Sequence, residues 1–420
     1  MAERDMPSAT ACGHRPLAGV QVLELSQIMA GPTCGLMLAD MGASVTKIEK
    51  FPAGDDARGY RLPGDSGLAP SFMMINRGKR SVALDVRTET GKAVLKRLVA
   101  GADVVTENFR LGTMERLGLG YEQLAAHNPA LIYCSITGYG REGPLAQKGG
   151  FDLILQAFAG LVSVTGEPGR PPVKPGNSVA DINAGILAAF GVLAAYIHRL
   201  KTGEGQRVDT SLLQAAVQQT YWFATNYFAS GLIATPVGTA HPLIAPYQAF
   251  DCADGAIAIG GANKNNWERF ARLLGHPEWI TDPRFDSGAS RLDHREALAT
   301  LITDVLRTDT VDNWLRRLDE AGVPAGPVND IGQALEHPQT RAVGMVVEAR
   351  HPLGGTTRAL GSPVTLGGRS EPALSPAPRL GEHTVQVLRE AGFTAGEIDD
   401  LLAAGTIFQR DRAEDACLQA

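Results

Sequence analysis

Between Gly19 and Gly140 the chain alternates short apolar, β-branched runs with segments at helical spacing. Val20–Leu25, Ser44–Glu49, Ser81–Val86, Asp103–Glu107 and Leu131–Ile136 read as strands, and Pro32–Met41, Gly91–Ala100 and Leu119–His127 as helices. Strands alternating with helices in this way predict βαβ units and a parallel sheet. Ligands of such sheets bind at the strand-to-helix turns of the carboxyl edge. The apolar stretch Ile182–Ile197 predicts a long buried helix, stopping at Lys201-Thr202-Gly203, because lysine followed by glycine is a common helix end. Gln206–Thr210 resumes as a strand. A second unit starts near Trp222, with a strand at Ala256–Gly260 and helices at Trp267–Leu274, Glu296–Leu306 and Val311–Ala321. Val323–Val328 reads VPAGPV, punctuation that predicts a linker or turn.

Composition narrows the function. The 420 residues are 44% hydrophobic and 20% charged, enough for two or three domain-sized units with ample core. A net charge of −6 without a basic block argues against a nucleic-acid or anionic-membrane surface, while leaving room for a local basic pocket. Asn183 and Gly191 interrupt the Ile182–Ile197 stretch, which falls short of a membrane span. The five cysteines are scattered, with no CxxC and no Cys/His cluster, so neither a metal site nor a disulfide framework is expected. That usage, and an N-terminus without an apolar signal segment, predict a cytoplasmic protein.

Four features can carry chemistry. The turn Ser26–Thr33 opens a helix whose free N–H groups suit an anion, but it lacks the GxGxxG spacing of a dinucleotide site; a plain helix start is the other reading. Lys50, Asn76, Arg77, Lys79, Arg80, Arg87, Asn108, Arg110 and Arg116 crowd the first 120 residues; they suit the phosphates of a nucleotide tail or a solvated surface. Asp152 follows Gly149-Gly150-Phe151, and Asp181 stands just before the long apolar helix. Asp181 is either an ordinary N-cap, worth about 1 kcal/mol, or a held nucleophile able to form a covalent acyl intermediate. Gly260-Gly261 after a strand reads as a tight turn or as a mobile flap with exposed N–H groups.

Taken in order, the segments PLAGVQVLELSQIMAGP, LADMGASVTKIEK, GDDARG, NRGKRSVALDV, ADVVTENFR, YCSITGYGREGP, GFDLILQAFAGL, VADINAGILAA and KTGEGQRVD resemble the class III (family III, CaiB/BaiF-type) CoA-transferases. The resemblance covers about residues 16–408, and within the family it is nearest to succinate–hydroxymethylglutarate CoA-transferase and related dicarboxylate enzymes. It implies an α/β fold: a Rossmann-like large domain from both chain ends (16–210 and 335–410), a small α+β domain (222–330), flexible termini (1–15 and 411–420) and an interlaced homodimer. It implies that CoA moves between carboxylic acids through an aspartyl-CoA thioester on Asp181, with succinyl-CoA as donor. Coenzyme A would be a substrate, with no tightly bound cofactor and no nucleic-acid or membrane partner. The family's CoA contacts carry over to Met29, Ala30, Lys50, Leu84, Asp85, Arg87, Asn108, Phe109, Arg110, Arg116, Phe151 and Asp152. Gly260 and Gly261 match its glycine-rich loop, thought to close over the intermediate, and His241 is a candidate partner for a distal carboxylate.

Three other functions compete. An α-methylacyl-CoA racemase shares the fold, but its branch carries a histidine where this chain has Phe151, and phenylalanine cannot exchange a proton. A CoA-binding scaffold would have no use for Asp181. An NAD-dependent oxidoreductase lacks its fingerprint.

Overall fold

The computed structural model describes residues 15–60, 69–350, 356–367 and 375–410. Their strands are β1 (Gln21–Leu25), β2 (Ser44–Glu49), β3 (Arg80–Leu84), β4 (Val104–Glu107), β5 (Ile132–Thr137), β6 (Arg207–Ser211), β7 (Tyr247–Asp251), β8 (Ala256–Gly260), β9 (Ala325–Pro327), β10 (Val346–Arg350), β11 (Thr356–Leu360) and β12 (Ile407–Phe408). The chain forms two compact units. Val162–Lys174 and Ser230–His337 make the second, and the other described residues make the first.

In the first unit one sheet runs β12-β3-β2-β1-β4-β5-β6. Strands β1 to β6 are parallel, and β12 joins the β3 edge antiparallel. The order 3-2-1-4-5-6 is that of the Rossmann fold, with its switch point between β1 and β4. Both faces of the strands are apolar because both are covered. Val22, Val45 and Cys134 meet Cys34 and Leu38 of the Ala30–Asp40 helix on one face. On the other, Leu23, Val105 and Tyr133 meet Val94, Leu95 and Leu98 of the Glu89–Val99 helix.

The predicted long helix spans Val179–Thr202 and ends with Gly203 at φ +79°, a left-handed cap that suits glycine. It is long and apolar enough to cross a membrane by length and composition. Its small residues Ala180, Ala184 and Ala188 nevertheless pack into the core beside the Ala30–Asp40 helix. Gly185 sets the approach: a Cβ there would lie 2.5 Å from the Ala30 carbonyl oxygen and 2.6 Å from Thr33 Cβ.

The second unit holds the antiparallel sheet β7-β8-β9. Its core joins Phe250 and Ile257 to Trp267, Ile302 and Trp314 of three helices, Lys264–Leu273, Arg295–Leu306 and Val311–Glu320. The VPAGPV segment is not a linker. Ala325–Pro327 pairs with β8 as an edge strand, a sheet position where proline's missing donor is harmless. The unit opens at Ser230, not near Trp222, and takes in Val162–Lys174, a segment whose pattern gave no sign of it. The termini expected to be flexible lie outside the described residues, apart from Arg15.

Candidate active site

Helices of a doubly wound sheet run opposite to its strands, so the Val179–Thr202 helix starts at the carboxyl edge. Asp152, first residue of the Asp152–Phe158 helix, reaches across to it. Its Oδ1 accepts the N–H groups of Ala180 (2.9 Å) and Asp181 (3.2 Å). Its Oδ2 accepts from Gln156 Nε2 (2.5 Å), which also donates to Asn177 O (3.1 Å). Asp152 therefore caps a helix other than its own, while Ser178, the N-cap by position, makes no side-chain cap. Asp181 sits third in the helix and its carboxylate has no hydrogen-bond or ion-pair partner among the described residues. The N-cap reading of Asp181 fails, because Asp152 does the capping. Burial, and then the charge of Asp152, push the Asp181 carboxyl up to about 7. A desolvated carboxylate with no partner is a better nucleophile than a solvated one.

A cleft of about 270 Å³ opens on the β1 side of the switch point. Leu25 and Gln27 at the end of β1, Ile48 and Lys50 at β2, Leu84, Asp85 and Arg87 at β3, and Phe109 and Thr113 after β4 line it. Lys50 pairs with Asp56 (2.8 Å) and Arg87 with Asp85 (2.8 and 2.9 Å), all solvent-accessible. An apolar slot with cations at its mouth suits a flat ring followed by phosphates. Asn108 bridges the switch point: its Oδ1 accepts the Gln27 N–H (3.0 Å) and its Nδ2 donates to Gln27 O (2.9 Å). Next in the turn, Ile28 has φ +69°, a rare conformation for a β-branched residue. The Ala30–Asp40 helix then begins at Met29 without a side-chain cap. The N–H groups of Ala30 and Gly31 have no partner among the described residues.

The sequence profile of CoA-transferase family III matches residues 17–384. The chain belongs to CoA-transferase family III. It is 39% identical to a succinate–glutarate CoA-transferase of Agrobacterium fabrum, over 92% of this chain and 97% of that one. With the human succinyl-CoA:glutarate CoA-transferase the identity is 34%, over 96% and 93%. The crystal structure of a CaiB/BaiF family protein from Brucella suis superposes with a TM-score of 0.80 at 40% identity, covering 90% of this chain and all of that one.

For this family III member, the cleft gathers Lys50, Leu84, Asp85, Arg87 and Phe109 of the expected contacts. Met29, Ala30 and Asn108 belong to the switch-point turn beside it. Arg110 lies against Gly149, where a Cβ would be 3.2 Å from its Nε, and Arg116 donates to Thr113 Oγ1 (3.0 Å). Phe151 and Asp152 stand with Asp181 and do not line the cleft. The cationic group is dispersed: Arg77 is buried on Asp40 and Lys79 on Glu24. Arg80 opens β3 at the amino edge and pairs with Glu390. Asp55 and Phe51 line the cleft without a place among the candidate residues, although GDDARG in the family resemblance contains Asp55, and Gln27 there belongs to the Ser26–Thr33 turn.

Gly260, Gly261 and His241 belong to the second unit. Gly260 donates to Pro324 O (2.8 Å) and Gly261 to Pro246 O (3.0 Å), so both N–H groups expected to be exposed are engaged. His241 Nδ1 accepts the Leu243 N–H (3.1 Å), which places the proton of the neutral ring on Nε2.

Proposed function

We propose that this enzyme moves CoA from succinyl-CoA to a dicarboxylic acid of glutarate type, with Asp181 as the covalent carrier. The Asp181 carboxylate attacks the thioester carbonyl, and the C–S bond breaks to give a mixed anhydride and the CoA thiolate. The thiolate attacks the aspartyl carbonyl of the anhydride, releasing succinate and leaving aspartyl-CoA thioester. The incoming carboxylate attacks that thioester, the thiolate leaves, and its return to the acceptor's carbonyl yields the new acyl-CoA and free Asp181. No proton or outside energy is needed, since each step exchanges one acyl bond for another. Each oxyanion needs preorganised donors, and the buried, unpartnered N–H groups of Ala30 and Gly31 are our candidates for that role. CoA binds as a dissociable substrate, its nucleotide end in the β1–β3 cleft with Lys50 and Arg87 at the phosphates.

The observation that carries this reading is the split of roles between two carboxylates. Asp152 spends its oxygens on the helix N–H groups, and Asp181, freed from capping, stays unpartnered in a desolvated place. The acid pair rests on the two glutarate-linked relatives. Racemisation gains nothing from this site, because Phe151 beside Asp152 has no group to exchange a proton. The active form we propose is a homodimer, since the first unit exposes Phe151, Phe158, Phe190, Leu200, Trp222 and Phe228, more large apolar side chains than a monomer commonly leaves in water.

The test incubates the protein with succinyl-CoA and a pool of mono- and dicarboxylates in D2O and reads the CoA esters by mass spectrometry. A new, undeuterated dicarboxylyl-CoA that is absent with Asp181→Ala is the expected result. Transfer that survives Asp181→Ala would sink the mechanism, and α-deuterated ester without any new ester would point to racemisation.

A further inference from the structure

Beneath the switch-point turn lies a fully buried set of charges, between the sheet and the Ala30–Asp40 helix. Lys47 Nζ contacts Glu24 Oε1 (2.9 Å), Asp55 Oδ2 (2.9 Å) and the Ser26 carbonyl (2.7 Å). Lys79 Nζ contacts the other Glu24 oxygen (2.9 Å), the Pro32 carbonyl (2.9 Å) and Asn76 Oδ1 (3.0 Å). Asp55 Oδ1 accepts the N–H of Ile28 (3.0 Å) and of Ala57 (2.9 Å). The two cations and two anions balance. Burial alone would lower the pKa of Lys47, but Glu24, Asp55 and Glu49 together raise it, so Lys47 stays charged. The helix is shaped for this set, because a Cβ at Gly35 would lie 1.8 Å from Glu24 Oε2.

Such a network is a poor device for stability, since well-packed apolar residues commonly do as well. Its contacts show another use. It reaches the backbone at Ser26 O, Ile28 N and Pro32 O, three points spread over the turn and the first helical residues, and Ile28 at φ +69° lies among them. Left to itself an isoleucine leaves that conformation. The turn ends in Ala30, whose carbonyl packs against Gly185, one helical turn beyond Asp181 and on the same face.

We propose that Asp55 is a positioning residue for the transfer reaction: with Lys47 and Glu24 it holds the left-handed Ile28 turn, and through it the start of the Ala30–Asp40 helix, in register with Asp181. The inference rests on the reaction proposed above. Asp55 lies at the cleft edge but acts through the backbone of residue 28, not through substrate.

The experiment measures kcat, KM for succinyl-CoA and melting temperature for Asp55→Asn, with and without Ile28→Gly. Asp55→Asn cannot serve both partners: its amide NH2 faces either the Lys47 ammonium in place of Oδ2 or the Ile28 N–H in place of Oδ1. The hold on the turn therefore weakens, and displacing a reacting group by about 1 Å costs on the order of 100-fold in kcat. KM should stay within about threefold. Glycine takes a positive φ without strain, so Ile28→Gly in the Asp55→Asn background should recover about tenfold in kcat. Val99→Ala, in the core on the other face of the sheet, is the stability control and should lower the melting temperature with kcat unchanged. Wild-type kcat in Asp55→Asn would overturn the inference, as would a loss that Ile28→Gly does not relieve. If Asp55→Asn alone does not fold, the double variant decides. Folded and active, it supports the role; folded and inactive, or unfolded, it shows that Asp55 serves the fold and not the turn. A wild-type protein that transfers no CoA would overturn the reaction and this role with it, whereas wild-type transfer with an unchanged kcat in Asp55→Asn would overturn the role alone.

Discussion

A carboxyl pushed up to about 7 by burial and a neighbouring carboxylate is only half ionised at neutral pH, and it attacks only when ionised. The rate should therefore climb tenfold per pH unit below about 6 and level off above about 8. Asp152→Asn keeps an oxygen for the Ala180 and Asp181 N–H groups but removes the charge. The acid limb of the pH–rate profile should then move to lower pH; an unmoved limb would mean that Asp152 does not act on Asp181 by charge. The same shift works against the fold. Between the unfolded carboxyl value near 4 and the folded value near 7, the native state holds the proton that the unfolded chain has lost. Stability through this group therefore falls as pH rises across that window. Asp181→Asn should be more stable than wild type at pH 8, by on the order of 2–4 kcal/mol, with the difference fading near pH 4. Urea denaturation at both pH values measures it, and equal stability at pH 8 would contradict the desolvation argument.

The Val179–Thr202 helix carries Asp181, and its fit against the Ala30–Asp40 helix depends on Gly185. An alanine there meets the Ala30 carbonyl oxygen, which is backbone and cannot rotate away. Gly185→Ala should cost about 1–3 kcal/mol and lower kcat as well, because the two helix starts must part. At Gly191 a Cβ meets Val208 Cγ1 at 2.6 Å, a strand methyl far from the two helix starts, so Gly191→Ala should cost stability and leave kcat alone. Thermal melts and initial rates on both variants separate the two cases. The helix itself was legible in the sequence, though it was read as buried and its Ile186, Phe190 and Ile197 are exposed. The first five strands were legible as short apolar runs, and β6, a polar RVDTS, from its place after the Lys201-Thr202-Gly203 helix end. The edge strand β9 was not, because proline and glycine normally mark a break and only pairing with β8 overrides them. The capping role of Asp152 was equally hidden: it connects residues 152 and 180–181, and spacing along the chain says nothing about a cap donated from another helix. The cationic group misled for the same reason. Arg77 and Lys79 look like surface charges until Asp40 and Glu24 are found beside them.

In the molecule as a whole, large apolar residues are left outside the core of the first unit. Ile186, Phe190 and Ile197 form a stripe along the outer face of the Val179–Thr202 helix, and Trp222 and Phe228 stand exposed on the helix beginning at Tyr221. The exposed stripe backs the helix whose inner face fills the core, so nothing in the first unit's own fold calls for it. If a second copy covers it, the protein should run at twice the 44.4 kDa chain mass in sedimentation at micromolar concentration. An interface of this composition holds by burial and not by charge, so the dimer should persist in about 1 M salt, where surface ion pairs are screened. Phe190→Glu with Ile197→Glu places two carboxylates in the covered face, at a cost of several kcal/mol unless they stay wet. That variant should fall to the single-chain mass and keep its secondary structure, since both positions point away from the core. A wild-type protein that is monomeric under these conditions would remove the dimer from the proposal while leaving the chemistry of Asp181 untouched.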